Sequence, residues 1–226
     1  MLAWILALIL SVVAVTPTAA QQNNTNVTRE QSRLLVDMPG TRGGRESFQY
    51  IGWTSNYSME GHFAFAAAST SYPHARVWMT VLSRSHLWVN HGPMNEARLR
   101  EMAPYLKDQA ARPLSARPVP SSRNTEVVLF EVDGGECAIF SIRDLSTPGG
   151  AGAADLGTRG LHGVYCGAKG ATLTKDLLED VLGGIYFRHG GTVYRAYGDG
   201  TRPIPDHILR GPPLRGEAAP LAAVPG

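Results

Sequence analysis

Four histidines in the first half of the chain are the best candidates for metal ligands. His62, His74, His86 and His91 lie in or beside apolar, β-branched runs that predict neighbouring strands. A Zn²⁺ or Cu²⁺ site needs three or four ligands that converge, usually with a carboxylate such as that of Glu60. No two of these histidines have a spacing typical of a ligand pair. Solvated or core histidines are therefore the favoured interpretation, and a metal site is the alternative.

The only two cysteines, Cys137 and Cys166, have each other as the only possible partner within the chain. In an oxidising compartment an even number of cysteines is normally paired. A redox-active pair is usually Cys-x-x-Cys at the start of a helix, whereas these two lie far apart, on segments that read as strands. We therefore predict a structural disulfide.

Sequence motifs for catalysis are absent. The chain contains no G-x-S-x-G, S-x-x-K or H-E-x-x-H pattern. The tripeptide His189-Gly190-Gly191 has the composition of an esterase oxyanion loop, but without a nucleophile motif it is interpreted as a turn. We expect no catalytic residue and no cofactor.

The N-terminus predicts export. Residues 2–15 form an apolar run without charge, and small residues follow it up to Ala20. This order is typical of a signal peptide cleaved after Ala20, with the periplasm or the exterior as the destination. The alternative is an uncleaved membrane anchor. However, a spanning helix needs about 20 apolar residues, and Pro17 interrupts this segment before that length. The preference for Arg (18) over Lys (three), with abundant Ala, Gly and Pro, is typical of a GC-rich bacterial genome.

Composition divides the chain into four parts. We predict a signal peptide at residues 1–20, a flexible polar linker at 21–45, a single domain at 46–198 and a disordered Pro/Gly/Ala-rich tail at 199–226. The mature length permits one domain of ordinary size.

Within the domain, strands and helices alternate in blocks. Strands are predicted at residues 48–53, 62–66, 76–82, 86–89 and 161–166, helices at 92–106 and 174–185, and a last strand pair within 186–197. The clearest local signal is a hairpin, in which the apolar runs 127–132 and 137–142 flank a glycine-containing turn. Because both runs are nearly all apolar, we expect this hairpin at the centre of its sheet.

This order of elements predicts an α+β fold, with a mostly antiparallel β-sheet, two packed helices and one disulfide. The similar layout of the two halves suggests a duplicated β-sheet/helix unit.

These observations favour an exported binding or envelope-accessory protein that is not an enzyme. A net charge of +2 is too small to drive nucleic-acid binding. The expected partner is an unidentified protein or small molecule of the cell envelope, and no stable membrane span is expected after cleavage. Two alternatives stay open. One is a secreted hydrolase whose serine, histidine and carboxylate come from distant parts of the chain. The other is a metal-binding periplasmic protein.

Overall fold

The computed structural model of the chain describes residues 22–42, 44–53, 58–68, 73–83, 92–122, 124–143, 145, 158–189, 191–198 and 202–210. The predicted signal peptide and the predicted strand at residues 86–89 lie outside the described residues. No helix within the described ranges is both long enough and apolar enough to cross a membrane.

The described residues form a mostly antiparallel β protein with short helices, as the α+β prediction requires. In chain order the strands are β1 Gln22–Val27, β2 Leu34–Val36, β3 Arg45–Trp53, β4 Ser58–Ala67, β5 His74–Ser83, β6 Ala111–Pro113, β7 Thr125–Val132, β8 Gly135–Arg143, β9 Thr158–Cys166, β10 Ile185–His189 and β11 Thr192–Arg195. Eight of them form one sheet in the spatial order β1-β3-β4-β5-β9-β8-β7-β6, and β11-β10-β2 form a second sheet.

The helices are α1 Glu96–Met102, a short 3-10 helix Pro104–Leu106, α2 Lys175–Gly183 and α3 Asp206–Arg210. The helix predicted at residues 92–106 divides into two because Pro104 lacks the N–H that would continue α1. The α2 helix begins as predicted, since the Thr174 hydroxyl accepts a hydrogen bond from the backbone N–H of Leu177 at 3.2 Å.

Apolar clusters cover both faces of the large sheet. On one face, α1 and the 3-10 helix pack over the disulfide; this cluster contains Leu99, Met102, Leu106, Phe130, Ile139 and Val164. On the other face, α2 and the second sheet form the larger cluster; its buried side chains include Leu34, Leu35, Val77, Phe140, Leu178 and Phe187. Because both sides are covered, the strands between them are largely apolar.

The predicted hairpin forms as β7 and β8, but its predicted place in the sheet is wrong. The centre of the sheet is the β5–β9 pair, and β7 lies next to the edge strand β6. Asp133 and Gly134 at the turn have φ angles of 49° and 70°, which is the left-handed pair that a type I′ turn requires. The apolar runs reflect burial by a helical layer on each face, and they do not indicate a central position.

The segment interpreted as a flexible linker at residues 21–45 is part of the fold. Strand β1 pairs with β3 over six register positions, and β2 pairs with β10. The apolar triplet Leu34 to Val36 explains the difference, since Leu34 and Leu35 are 0% exposed. The neighbouring Asn-rich residues lie on an edge strand, where Asn24 and Asn26 stay exposed to solvent.

The predicted disordered tail also begins too early. Residues 206–210 form α3, and Ile208 is 0% exposed within the larger cluster. A single buried isoleucine in a Pro-rich segment was too weak a signal for sequence analysis. The duplicated unit stays a prediction, since the described chain has five strands before α1 and four between α1 and α2.

Replacing Leu35 with alanine tests whether β2 belongs to the core. Leu35→Ala should lower the free energy of unfolding by about 3 kcal/mol, because a fully buried leucine leaves a cavity. Leu209→Ala is the matched control, since Leu209 is 50% exposed, and should change it by less than about 0.5 kcal/mol. Equal urea midpoints for the two variants would contradict the assignment of β2 to the core and would support a linker at residues 21–45.

Removing the disulfide should destabilise the fold without changing it. Cys137 and Cys166 are directly opposite each other in β8 and β9 and are bonded, with 4.1 Å between their Cα atoms. The double variant Cys137→Ala/Cys166→Ala should lose about 3 kcal/mol of stability to urea, because the unfolded chain regains its loop entropy. The reduced wild-type protein is the control and should unfold at a similar urea concentration.

Candidate functional site

A cavity lies where the second sheet meets the C-terminal segment. It has a volume of about 600 Å³. The residues after β2 form one wall, the end of α2 and the start of β10 form the floor, and residues 202–205 form the opposite wall. Gly184 is required at the floor, because a Cβ there would collide with the backbone carbonyl of Asp37. The charged side chains that line the cavity are those of Asp37, Arg42, Asp180, Arg195 and Arg202.

A buried carboxylate with two nitrogen partners anchors the cavity. Arg42 donates from Nε and Nη2 to the two oxygens of Asp37 at 2.9 and 2.8 Å. His207 on α3 donates from Nε2 to Oδ2 of Asp37 at 2.8 Å. The Asp37 side chain is 7% exposed, whereas that of Arg42 is 71% exposed. The carboxylate thus ties α3 to the residues after β2.

This bonding pattern changes the acidity of Asp37. Burial by itself would raise its pKa, but the hydrogen bonds from Arg42 and His207 outweigh burial and hold the pKa below its ordinary value. Asp37 is therefore a structural anion at neutral pH. It is not available as a general acid.

Arg195 joins three elements at the back of the cavity. Its Nη1 donates to the carbonyl of Gly183 at the end of α2, and Nη2 donates to the carbonyl of Pro203 at 3.0 Å. Its guanidinium lies 4.9 Å from the centroid of the Tyr186 ring, and burial raises the pKa of Tyr186. A second cavity of about 290 Å³ shares Gly183, Arg195 and Arg202 with the first. Arg195 is thus positioned between two adjoining spaces.

The charges that line the main cavity are predominantly positive. Three arginines face two aspartates, which leaves one net positive charge. Arg202 approaches Asp180 at 3.4 Å, and both side chains are more than half exposed. Such a pair is held weakly in water, so the Arg202 guanidinium can exchange this partner for an anionic ligand.

A serine-based hydrolase site is not assembled by the described residues. Among the residues that the structure describes, no serine, threonine or cysteine lines the main cavity. Elsewhere, the strand register places Ser141 between Glu126 on β7 and His162 on β9. A catalytic triad needs the histidine between the other two groups, and Ser141 is only 1% exposed. This row of residues therefore has the wrong order and no access for a substrate.

The four candidate metal histidines are not brought together where the structure describes them. His62 lies opposite Met79 and His74 opposite Ala67 across the β4–β5 ladder, so the two side chains are directed to opposite faces of the sheet. Both residues are buried, and His86 and His91 lie outside the described residues. Across the described ranges no group of three or more His, Cys, Asp or Glu side chains could hold a metal ion.

His189, from the predicted turn, has a different role. Its Nδ1 accepts a hydrogen bond from Nη2 of Arg159 at 2.8 Å. Burial, followed by the charges of Arg159 and Arg33, lowers the pKa of His189. The histidine is neutral in this contact, and it positions the arginine at the end of the second sheet.

Sequence analysis missed the residues of the cavity because it assigned two of its walls to a linker and a tail. Asp37, Arg42, Arg202 and His207 all lie in those segments. The sequence carries only weak signals for these two segments. They are the apolar triplet at residues 34–36 and the isolated Ile204 and Ile208, all of which contribute to the core.

Comparisons with known proteins find no matching family model, no similar curated protein and no similar solved structure.

Asp37→Asn should destabilise the protein in a pH-dependent way. Because the folded-state pKa of Asp37 is lowered, its stabilising effect is present above the unfolded-state pKa, near 4, and is lost as the pH falls through the folded-state value. At pH 7 the variant should lose about 2 kcal/mol of unfolding free energy. This difference from wild type should shrink below about pH 4.

The matched control is Asp133→Asn, because Asp133 is 49% exposed and pairs with Lys169 at 2.9 Å. It should change stability by less than about 0.5 kcal/mol at neutral pH. Urea titrations of the three proteins across this pH range provide the measurement. A constant deficit for Asp37→Asn at every pH would contradict the ionised state assigned to Asp37.

Proposed function

We propose that the protein is an exported, non-catalytic binding protein that takes a small anionic ligand in the main cavity. The observation that carries this proposal is the excess of arginine over aspartate in one cavity that is open to solvent. The planar guanidinium group is suited to two-point binding of carboxylates and phosphates. The ligand class is therefore a small molecule with one or more carboxylate or phosphate groups.

The size of the cavity supports an organic ligand. Its volume of about 600 Å³ is within the usual range of small-molecule sites and is far larger than a single inorganic ion requires. Tyr186 and the rings of Pro39, Pro203 and Pro205 line it between the charges. A ligand with an apolar body and an anionic group would contact both kinds of surface.

The proposal places this binding outside the cytoplasm of a bacterial cell, in the periplasm or beyond. Its support is the predicted signal peptide, together with the disulfide of the folded domain, since such bonds form and persist in oxidising compartments. An envelope-accessory role would follow if the ligand belongs to a component of the envelope.

A second candidate, hydrolysis, is favoured by one contact. The Asp37–His207 pair at 2.8 Å has the geometry in which a carboxylate orients a histidine base. No serine, threonine or cysteine among the described residues lines the cavity, so in this candidate His207 would activate water. Saturable turnover of an ester or phosphoester that is lost in His207→Ala would favour this candidate over simple binding.

Arg202→Gln should weaken anion binding while leaving the fold intact. Isothermal titration at fixed ionic strength, with citrate and with glycerol 3-phosphate as probes, should give a Kd roughly tenfold higher for the variant, because one charge-assisted contact is lost. Arg112→Gln is the matched control. Arg112 is 73% exposed and Arg202 is 67% exposed, and each is ion-paired. Arg112, however, lies on β6, away from the cavity.

The control should bind both probes like the wild type. The proposal would be contradicted if the wild-type protein bound neither probe. It would also be contradicted if Arg202→Gln and Arg112→Gln lost affinity equally.

A further inference from the structure

Arg76 occupies an unusual place on the face of the large sheet that carries α1. It lies on β5, opposite Phe65 of β4. Its guanidinium is positioned between two aromatic rings, 5.8 Å from the centroid of Phe65 and 5.2 Å from that of Tyr105. Cation–π contacts of this kind fix the plane of the guanidinium group.

No acidic group among the described residues neutralises this arginine. Arg76 forms no ion pair with them, and its Nε atom is buried without a hydrogen-bond partner. Burial lowers the pKa of Arg76, yet a guanidinium stays protonated at any ordinary pH. A partly buried charge without a counter-charge is unfavourable unless an anion comes to it from solution.

Arg45 brings a second positive charge to the same face. Arg45 on β3 lies opposite Ala67 on β4, and Ala67 lies opposite His74 on β5. His74 precedes Arg76 by two positions, so Arg45 and Arg76 lie on the same face. Arg45 is exposed. The acidic side chains of α1 form ion pairs within the helix segment itself, since Glu96 pairs with Arg100 and Glu101 pairs with Arg98.

Two residues with hydroxyl groups, Tyr105 and Ser47, lie on the same face of the sheet as these arginines. Tyr105 is 42% exposed, and its hydroxyl forms a short hydrogen bond with Nε2 of His74. Ser47 lies opposite Phe65 on the neighbouring strand and is exposed. Two guanidinium groups and nearby hydroxyl groups provide N–H and O–H donors, and phosphate oxygens can accept hydrogen bonds from them.

We propose that Arg76 and Arg45 form a phosphate-binding site on the α1 face of the large sheet. Phosphate is preferred to carboxylate because it has more acceptor oxygens and more negative charge, so it can accept from two guanidinium groups and a hydroxyl group at once. The main cavity lies on the opposite face of the sheet, so this site is separate from the proposed function and does not depend on it. The phosphate group can belong to a soluble phosphate ester or to a lipid headgroup.

The test compares thermal unfolding with and without inorganic phosphate at constant ionic strength. All variants carry Arg202→Gln, so that the main cavity contributes little to the result. The parent protein should gain about 2–4 °C in Tm with millimolar phosphate. Arg76→Met should lose most of this gain, because methionine keeps the apolar stem between the rings but carries no charge. Without phosphate, Arg76→Met should be as stable as the parent or more stable.

Two further variants keep the test interpretable. Arg143→Met is the matched control, because Arg143 is half exposed but paired with Glu126 at 3.2 Å, and it should retain the full gain. Arg45→Gln changes only an exposed side chain, and it should reduce the gain even if Arg76→Met does not fold. An equal phosphate gain in parent, Arg76→Met and Arg45→Gln would overturn the proposal.

Vesicles distinguish the two sources of phosphate. Sedimentation with phosphatidylglycerol vesicles, but not with phosphatidylcholine vesicles, that is lost in Arg76→Met would identify a lipid headgroup. A phosphate gain without sedimentation would identify a soluble phosphate ester. An equal affinity for citrate in the wild type and in Arg202→Gln would contradict the proposed function and leave either result unchanged, because the phosphate test is made entirely in proteins that carry Arg202→Gln.

Discussion

The register between β5 and β9 is the constraint on which the rest of the structure depends. This ladder joins the β1-β3-β4-β5 half of the large sheet to the β9-β8-β7-β6 half. It sets Val77 opposite Gly163 and Arg76 opposite Val164. A slip of one residue would turn each side chain of β5 to the other face. Val77 would leave the larger cluster, and Arg76 would leave its position between the aromatic rings. The disulfide reinforces the neighbouring ladder, where Cys166 faces Cys137.

Much of the fold could be predicted from local sequence, because its elements carry local signals. The β7–β8 hairpin has its turn residues, and α2 has its Thr174 cap and an apolar face. The order of strands in the sheet could not be predicted, because a run that is apolar throughout indicates only that both faces are covered. The linker and the tail were misassigned for a related reason. β2 has three residues and α3 has five, so each is shorter than the window over which periodicity can be recognised.

The candidate site was less predictable than the fold, because it consists of residues that have no local pattern. Asp37 and His207 are common surface types, and nothing near either one indicates a partner. Their contact spans 170 positions of sequence and exists only because β2 pairs with β10 and α3 packs beside that pair. The candidate metal histidines were chosen by residue type alone. The β4–β5 ladder turns His62 and His74 away from each other, and residue type gives no information about that direction.

The same long-range contact has a consequence for the order in which the protein folds. A chain synthesised from its N-terminus delivers β1 and β2 first, but β2 has no partner until β10 follows, and the Asp37 carboxylate has no imidazole until α3 arrives. Contacts between residues so distant in sequence form slowly, because a large loop must close before they give any stabilisation. The contacts that complete the arginine-lined cavity therefore depend on the last part of the chain to be made. Until β10 arrives, the apolar Leu34-Leu35-Val36 segment lacks its partner strand, and a chaperone would have the longest time to act there.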